Sequence, residues 1–473
     1  MEAELKKNIF GGISWKGWSD ILQQIFQILF TIFLARLLTK GDFGLVAMAL
    51  LVNRFVKSVT NASFGTAIIQ NQTITENQIS AIFYIQLALN SAISITVYLC
   101  ADYFAGFFDE KELANILRVM SFLLLVQSFQ FPGVLLEKKM LYRQLAIAQL
   151  VAMIVANSIA VLVALNGLGV WSLVIRLFAQ GIIFSTGVIL FSKWHPIRPN
   201  FRGLRGIFIF SSNLFGKNIL HFFAENIVGL LTGKFLGKEA LGAFNIAYTL
   251  AIIPSSKLKG VVSSVLTSAL SRVKEVSLLR NEYLKMLRII TLFFLPLMVF
   301  LGSVAKSLIP LLYGDEWVIA GTYLIFMSLV GMTRGLSYLV SPLILSRGDS
   351  RSILVGTFIE LLVSLPIMFM TIEHFGVIGL ILAYWLGSLA SLFFLTSKFN
   401  AILGGYNVFC NSIKIHFIPC CVLAIGNSVI WLLGLSVVMT LAAQSIFTIL
   451  MLSWYIFRKE YDLAMFVLKK VRP

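Results

Sequence analysis

The residues that could do chemistry in this chain sit where charge is costly. Within GKNILHFFAENIVG (216–229), Lys217, His221 and Glu225 recur every four positions. One helical face therefore carries a cation, a titratable imidazole and an acid. Near the N-terminus, Asp20, Gln23, Gln24 and Gln27 follow the i, i+3, i+4, i+7 pattern of a second polar helical face. Arg54 and Lys57 are one turn apart in an otherwise apolar run, and Lys257 and Lys259 lie together on one segment just after Pro254. Arg176, Arg334 and Glu360 each interrupt further apolar stretches. The deep cations (Arg54, Lys57, Arg176, Lys217, Lys257, Lys259, Arg334) outnumber the deep acids (Asp20, Glu225, Glu360). Such a surplus can hold an anion or line a hydrated cavity, whereas isolated charges in an apolar medium are prohibitive. His221 is the one deep group that ordinarily titrates near neutral pH. Local ion pairing, for instance Lys217 with Glu225 or Asp20, is the competing structural role for any one of these groups. Arg118, Arg288, Lys306 and His416 lie close to the ends of apolar runs, where snorkelling accounts for them.

The elements that carry these residues are long apolar helices. Only 12% of the chain is charged and 58% is hydrophobic, against about a quarter charged in a soluble domain; the mean hydropathy is +0.90. A run of about 20 apolar residues crosses a bilayer as a helix, and continuous rather than alternating runs exclude a β-barrel. The class is all-α polytopic membrane protein. Fourteen spans are predicted, at 14–38, 43–69, 79–101, 113–136, 145–165, 168–192, 207–233, 240–270, 284–311, 317–345, 353–373, 376–397, 411–434 and 436–457. With the N-terminus inside, about 21 loop and tail cations fall on the cytoplasmic side and about 5 on the other. Both termini are then cytoplasmic, and the net charge of +17 reflects topology rather than nucleic acid binding. The four cysteines (Cys100, Cys410, Cys420, Cys421) lie in or beside apolar runs and read as packing residues. No cleavable signal peptide is evident.

The longest loop, KWHPIRPNFRGLRG (193–206), is basic and Pro-containing and reads as a cytoplasmic linker. It divides a repeat. FLARLLTKGDFGLVAMA (33–49) aligns with LTGKFLGKEALGAFNIA (231–247), matching Arg36 with Lys234, Lys40 with Lys238 and Gly44 with Gly242; LGVWSLVI (168–175) aligns with FGVIGLIL (375–382), pairing Gly169 with Gly376. Pro132 similarly pairs with Pro342. Six helices per copy give both copies one orientation, an arrangement in which transporters bind substrate between repeats. The domains expected are 1–192 and 207–400 as six-helix bundles, 193–206 as linker, and 401–473 as two additional helices with a basic tail.

No P-loop, H-E-x-x-H, C-x-x-C or G-x-S-x-G occurs, so a transporter without covalent chemistry, rather than an enzyme, is expected, with no metal and no cofactor. Three segments carry a resemblance. FGTAIIQNQTITENQISAIFYIQL (64–87), PGVLLEKKMLYRQLAIAQLVAMIVANSIAVLVALNGLGVWSLV (132–174) and IPLLYGDEW (309–317) are similar to Wzx-type polysaccharide flippases, closest to the branch of colanic and teichuronic acid exporters. The resemblance implies a superfamily shared with multidrug (MATE) exporters and the peptidoglycan lipid flippase, and a fold of two six-helix bundles in a V plus two helices. It implies transfer of an undecaprenyl-diphosphate-linked oligosaccharide from the cytoplasmic to the periplasmic leaflet of the bacterial inner membrane by alternating access. A polysaccharide polymerase and a chain-length regulator are the partners such a flippase implies. The expected diphosphate site is Lys217, Arg54, Lys57, Lys257 and Arg334. Asp20, Gln24, Gln27, His221 and Glu225 form the polar wall or couple to an H⁺ or Na⁺ gradient. A cation-coupled multidrug exporter is the alternative, but a positive cavity suits cationic drugs poorly.

Overall fold

The computed structural model describes the backbone of residues 2–60, 65, 68, 69, 73–202, 205–270, 276–405 and 407–459. Side chains are described within those ranges except at 2–16, 59, 60, 205–215, 217, 261–270, 276–279, 282, 415 and 454–459. The described chain is helical with no strand, as a lipid environment that cannot satisfy backbone groups requires. Nine described stretches are long and apolar enough to cross a membrane. Two of them, Asn218–Gly260 and Ser350–Ile402, each hold two crossings, and Lys40–Thr60, Phe417–Leu432 and Val437–Ser453 complete fourteen. In chain order the crossings are α1 (Glu2–Leu37), α2 (Lys40–Thr60), α3 (Glu76–Leu99), α4 (Glu112–Lys138), α5 (Tyr142–Leu165), α6 (Val170–Ser192), α7 (Arg205–Leu231), α8 (Gly237–Leu270), α9 (Val276–Tyr313), α10 (Val318–Ser346), α11 (350–375), α12 (377–402), α13 (Phe417–Leu432) and α14 (Val437–Lys459).

Local sequence sets the ends. Thr75 and Gln78 form a capping box at the start of α3. Thr39 and Asp42 exchange hydrogen bonds at the start of α2, the Thr39 hydroxyl donating to Asp42 Oδ2 at 2.8 Å. At the start of α11, Asp349 accepts from the Ser352 amide at 3.0 Å and the Ser352 hydroxyl at 2.5 Å; these bonds hold its carboxyl below the usual carboxylate range. The fourth crossing, expected as one run, is instead broken into three helical pieces at Phe122 and at 129–131. Pro132, which has no amide hydrogen, stands at the first helical position of the last piece.

The repeat is written in the backbone. Gly169, between α5 and α6, has φ 48° and ψ −126°; its counterpart Gly376 has φ 54° and ψ −134°. Both copies therefore reverse on a positive-φ glycine of one conformation. The reversal at Gly376 is confirmed by packing. A Cβ at Gly379 would meet the Thr371 carbonyl oxygen at 2.8 Å, and one at Gly387 would meet that of Glu360 at 2.4 Å. In a single straight helix these residues would be several turns apart, so α11 and α12 form a hairpin with small residues at their contact.

The chain divides into two compact units, Met1–Gly242 and Ala243–Pro473. In the first, α1 packs on α5, α5 on α6, α3 on α4, and α2 on α4, α6 and α7. The loop 193–202 is tied to the start of α3. The Ile197 amide donates to Ser80 Oγ (3.0 Å), Asn77 Nδ2 to the Arg198 carbonyl (3.0 Å), Gln78 Nε2 to the Arg202 carbonyl (3.0 Å), and the Asn200 amide to the Asn77 carbonyl (3.0 Å). Trp194 closes the joint, its ring 5.6 Å from both Phe83 and Phe131. α8 enters this unit through its first turn. A Cβ at Gly44 would lie 1.8 Å from the Lys238 carbonyl oxygen, and one at Gly242 would lie 2.1 Å from that of Lys40. These are the glycine and lysine pairs matched by the repeat, and each glycine receives the backbone of the other copy's lysine.

In the second unit, α10 packs between α9 and the α11–α12 hairpin, and α13 and α14 dock on α9. Its core is built from Tyr283, Leu287, Phe294, Leu339, Leu343 and Phe399 among others. Asn427 on α13 donates to Ser303 Oγ on α9 (3.0 Å) and Thr448 Oγ1 on α14 (3.3 Å), and Gln444 Nε2 donates to the Asn427 carbonyl (2.8 Å). A buried polar ladder therefore fixes the two terminal helices onto the unit.

Candidate functional site

In the first unit the polar residues gather where α2 meets α7. The helices are pressed together by Phe55, whose ring lies 5.3 Å from Phe222 and 6.4 Å from Phe223. One residue earlier on α2, Arg54 donates from Nη1 to Asn226 Oδ1 on α7 at 3.2 Å. Asn226 is buried, and its Nδ2 donates to the Phe222 carbonyl at 2.9 Å. That second bond fixes which amide atom faces Arg54. The guanidinium is exposed, it is held by a neutral amide, and no described carboxylate pairs with it. Lys57, one turn further along α2, is half-buried and close enough to Arg54 to be repelled by it. Two like charges on one face, neither neutralised by a described acid, attract an anion.

On α7, His221 Nε2 and Glu225 Oε1 are 3.2 Å apart, with side chains 51% and 34% exposed. Asn218 continues the same face. Lys217 lies on the α7 backbone, but its side chain is outside the described residues. On α1, Asp20, Gln23, Gln24 and Gln27 are all half-buried. Gln23 Nε2 donates to Ser19 Oγ at 2.8 Å and to Gln149 Oε1 on α5 at 3.4 Å, so part of this face serves the α1–α5 contact. Arg176 on α6 buries its Nε without a described hydrogen-bond partner, which leaves a cation's donor open to a ligand or water.

The second unit treats its cations differently. Arg334 on α10 is only 8% exposed, as is Glu360 on α11. Its Nη2 lies 3.1 Å from Glu360 Oε1 and its guanidinium 4.9 Å from the centre of the Tyr384 ring on α12. Of the cations expected to bind substrate, Arg334 is thus paired with a carboxylate and covered by an aromatic face. On α8, Lys257 and Lys259 are exposed, and Lys259 Nζ lies 5.0 Å from the Tyr338 ring centre. The structure brings Arg54, Lys57, His221 and Glu225 to one helix pair in the first unit, and Arg334 and Glu360 to another in the second. Asn226, the residue that holds Arg54, was missed by sequence reasoning; its only signal was a polar side chain next to Glu225 in an apolar run.

A sequence model of the polysaccharide biosynthesis protein family matches residues 33–320. The chain belongs to this family. It is 27% identical to the teichuronic acid biosynthesis protein TuaB of Bacillus subtilis (strain 168) over 356 residues, 73% of this chain and 72% of that protein. It is 26% identical to the succinoglycan biosynthesis transport protein ExoT of Rhizobium meliloti (strain 1021), over 64% of this chain and 61% of that one. It is 20% identical to the lipopolysaccharide biosynthesis protein WzxC of Escherichia coli (strain K12), over 72% and 71%. Among solved structures it is similar to the lipid II flippase MurJ in an inward closed conformation, with TM-score 0.73 at 15% identity, covering 93% of this chain and 98% of that one. It is also similar to an inward-facing multidrug MATE transporter, with TM-score 0.62 at 15% identity over 80% and 95%. The protein is an integral membrane transporter of polysaccharide biosynthesis, of the Wzx type, with the fold shared by MATE and MurJ proteins.

Proposed function

We propose that the protein flips an undecaprenyl-diphosphate-linked oligosaccharide from the cytoplasmic to the periplasmic leaflet of the bacterial inner membrane by alternating access, with both termini cytoplasmic. Residues 1–192 and 207–400 act as the two moving halves, joined by 193–206, and 401–473 supply the two added helices. The observation that carries this reading is Arg54. It is an intramembrane guanidinium oriented by a neutral amide, with Lys57 beside it and its charge left for a ligand. Guanidinium donors match phosphate oxygens in pairs, so a diphosphate fits such a site. Lys217 and Lys257 add to the positive cavity, with Asp20, Gln24 and Gln27 as its polar wall. The His221–Glu225 pair couples the cycle to an ion gradient, because an imidazole–carboxylate contact changes charge by one on taking up a proton. The names of the relatives, which act in teichuronic acid, succinoglycan and lipopolysaccharide biosynthesis, support a glycan lipid as substrate. Export of cationic drugs is disfavoured by Arg54 and Lys57.

The test is Arg54→Gln. In a host lacking its own flippase, the variant reaches the membrane in normal amounts but surface polysaccharide is lost and the lipid-linked precursor accumulates on the inner leaflet. Unchanged surface polysaccharide in that variant would remove Arg54 from the site.

A further inference from the structure

At the end of the first unit opposite the docked loop 193–202, two turns face each other with opposite charge. Asp109 and Glu110 lie in the turn between α3 and α4 and Glu112 at the start of α4; Lys234 lies in the turn between α7 and α8 and Lys238 at the start of α8. Lys234 Nζ lies 2.9 Å from Asp109 Oδ2 and 5.4 Å from the Phe107 ring centre. Lys238 Nζ lies 3.0 Å from Glu110 Oε2 and 3.8 Å from Glu112 Oε2. Lys234 is presented by a π-helical turn, Thr232–Leu236, that ends on Gly237 at φ 82°. Such turns interrupt a helix to redirect a side chain and recur at functional sites.

The acids belong to the first copy of the repeat and the lysines to the second. The reciprocal glycine contact at this end, Gly44 on Lys238 and Gly242 on Lys40, also joins one copy to the other. At both of these glycines the facing atoms are backbone. Deeper in, the copies meet through aromatic packing of Phe55 on Phe222 and Phe223. The outer end therefore adds ion pairs to this close backbone approach, with the buried Phe108 ring of the first copy against Gly233 of the second beside them. Ion pairs that stay partly open to water, as these do, are individually weak and reversible, which suits a contact made and broken in each cycle. The hydrogen bond that Lys238 donates to Glu110 raises the ammonium above its usual value, ahead of an opposing cost of burial and the attraction of Glu110, Glu112 and Glu239. Lys238 thus stays cationic throughout the neutral range.

We infer that Asp109, Glu110 and Glu112 with Lys234 and Lys238 form an ionic latch that holds the extracytoplasmic end closed and must part for substrate to leave. The inference rests on the alternating-access reading and its orientation. A passage opening between the two copies at this end has to separate these ion pairs, because they span the copies there together with the reciprocal glycine contact. Neutralising the acids favours the outward-open form, and tethering the turns forbids it.

The experiment joins Glu110→Cys to Lys238→Cys in a background with Cys100, Cys410, Cys420 and Cys421 replaced. Cells are treated with a bifunctional methanethiosulfonate reagent, and surface polysaccharide and precursor flipping are measured before and after thiol reduction. The expected result is that the double variant crosslinks and stops exporting, the reagent leaves export by each single variant at that variant's own untreated level, and reduction restores the double variant to its untreated level. Export by the crosslinked protein at the level of its reduced form overturns the latch, and so does failure to crosslink. If the protein is not a flippase, the reduced double variant and the single variants also leave surface polysaccharide unrestored, which separates that failure from failure of the latch.

Discussion

The Arg334–Glu360 pair allows a structural charge to be told from a binding one. Both residues are 8% exposed, and their closest N–O distance is 3.1 Å. At an effective dielectric of about 20, unit charges at that separation attract by about 5 kcal/mol, offset by the desolvation of both. Glu360→Met removes the carboxylate acceptor from a buried guanidinium whose other contacts include the Tyr384 ring 4.9 Å away, a contact worth roughly 0.5–2 kcal/mol. The expected loss is roughly 3–5 kcal/mol, the cost of removing one partner of a buried ion pair. Arg334→Met should cost a comparable amount. The double variant should cost less than the two together, with a coupling energy of roughly 2–3 kcal/mol. Unfolding of the purified protein in a denaturing detergent series, with all four members of the cycle, gives the energies; export assays at low growth temperature give the function. A double variant that is stable and still exports marks the pair as scaffold. The reasoning fails if the single losses simply add. It also fails if Arg334→Met unfolds like the parent yet no longer exports, which would return Arg334 to the substrate site.

Three further outcomes follow from particular contacts. Gly44→Ala and Gly242→Ala should each destabilise by roughly 1–3 kcal/mol, because a Cβ meets backbone rather than a movable side chain, and differential thermal stability should show the two effects to be similar in size. Ser80→Ala removes the acceptor of the Ile197 amide at a cost of about 1 kcal/mol, and trypsin should then cut faster after Arg198 and Arg202; an unchanged rate would mean the loop is held elsewhere. Asn226→Leu should leave stability near that of the parent while weakening binding of a diphosphate lipid by about 2–10-fold, the worth of one positioning hydrogen bond, as measured by competition in nanodiscs.

Hydropathy made the crossings legible because a bilayer imposes length and apolarity on every span at once. The repeat was legible through Gly169 and Gly376, since a positive-φ reversal selects glycine in both copies. Pairing was not legible. Arg334 and Glu360 are 26 residues apart on different helices, and depth in the membrane says only that a charge needs a partner. Arg54 and Arg334 look alike in sequence, yet one is held by an amide and the other by a carboxylate. Among the turn residues, Lys234 and Lys238 entered only through topology and the repeat alignment, and Asp109 and Glu110 not at all, because opposite charges in separate loops have no spacing that announces contact. The loop 193–206 read as a plain linker; hydrogen bonds from its backbone, and from Asn77 and Gln78 to it, are invisible to a composition scan.

The reciprocal contact of Gly44 with Lys238 and Gly242 with Lys40 has the logic of an isologous interface, in which each partner is the other's pocket. Here both partners lie on one polypeptide. A homodimer would receive any mutation at this crossing twice, so that symmetry would always be kept. The fused chain receives it once, so a single substitution can make one arm of the crossing looser than the other. Such asymmetry is what a transporter needs if its two ends are to differ in how readily they open, and carrying both partners on one chain makes it available without building a new surface.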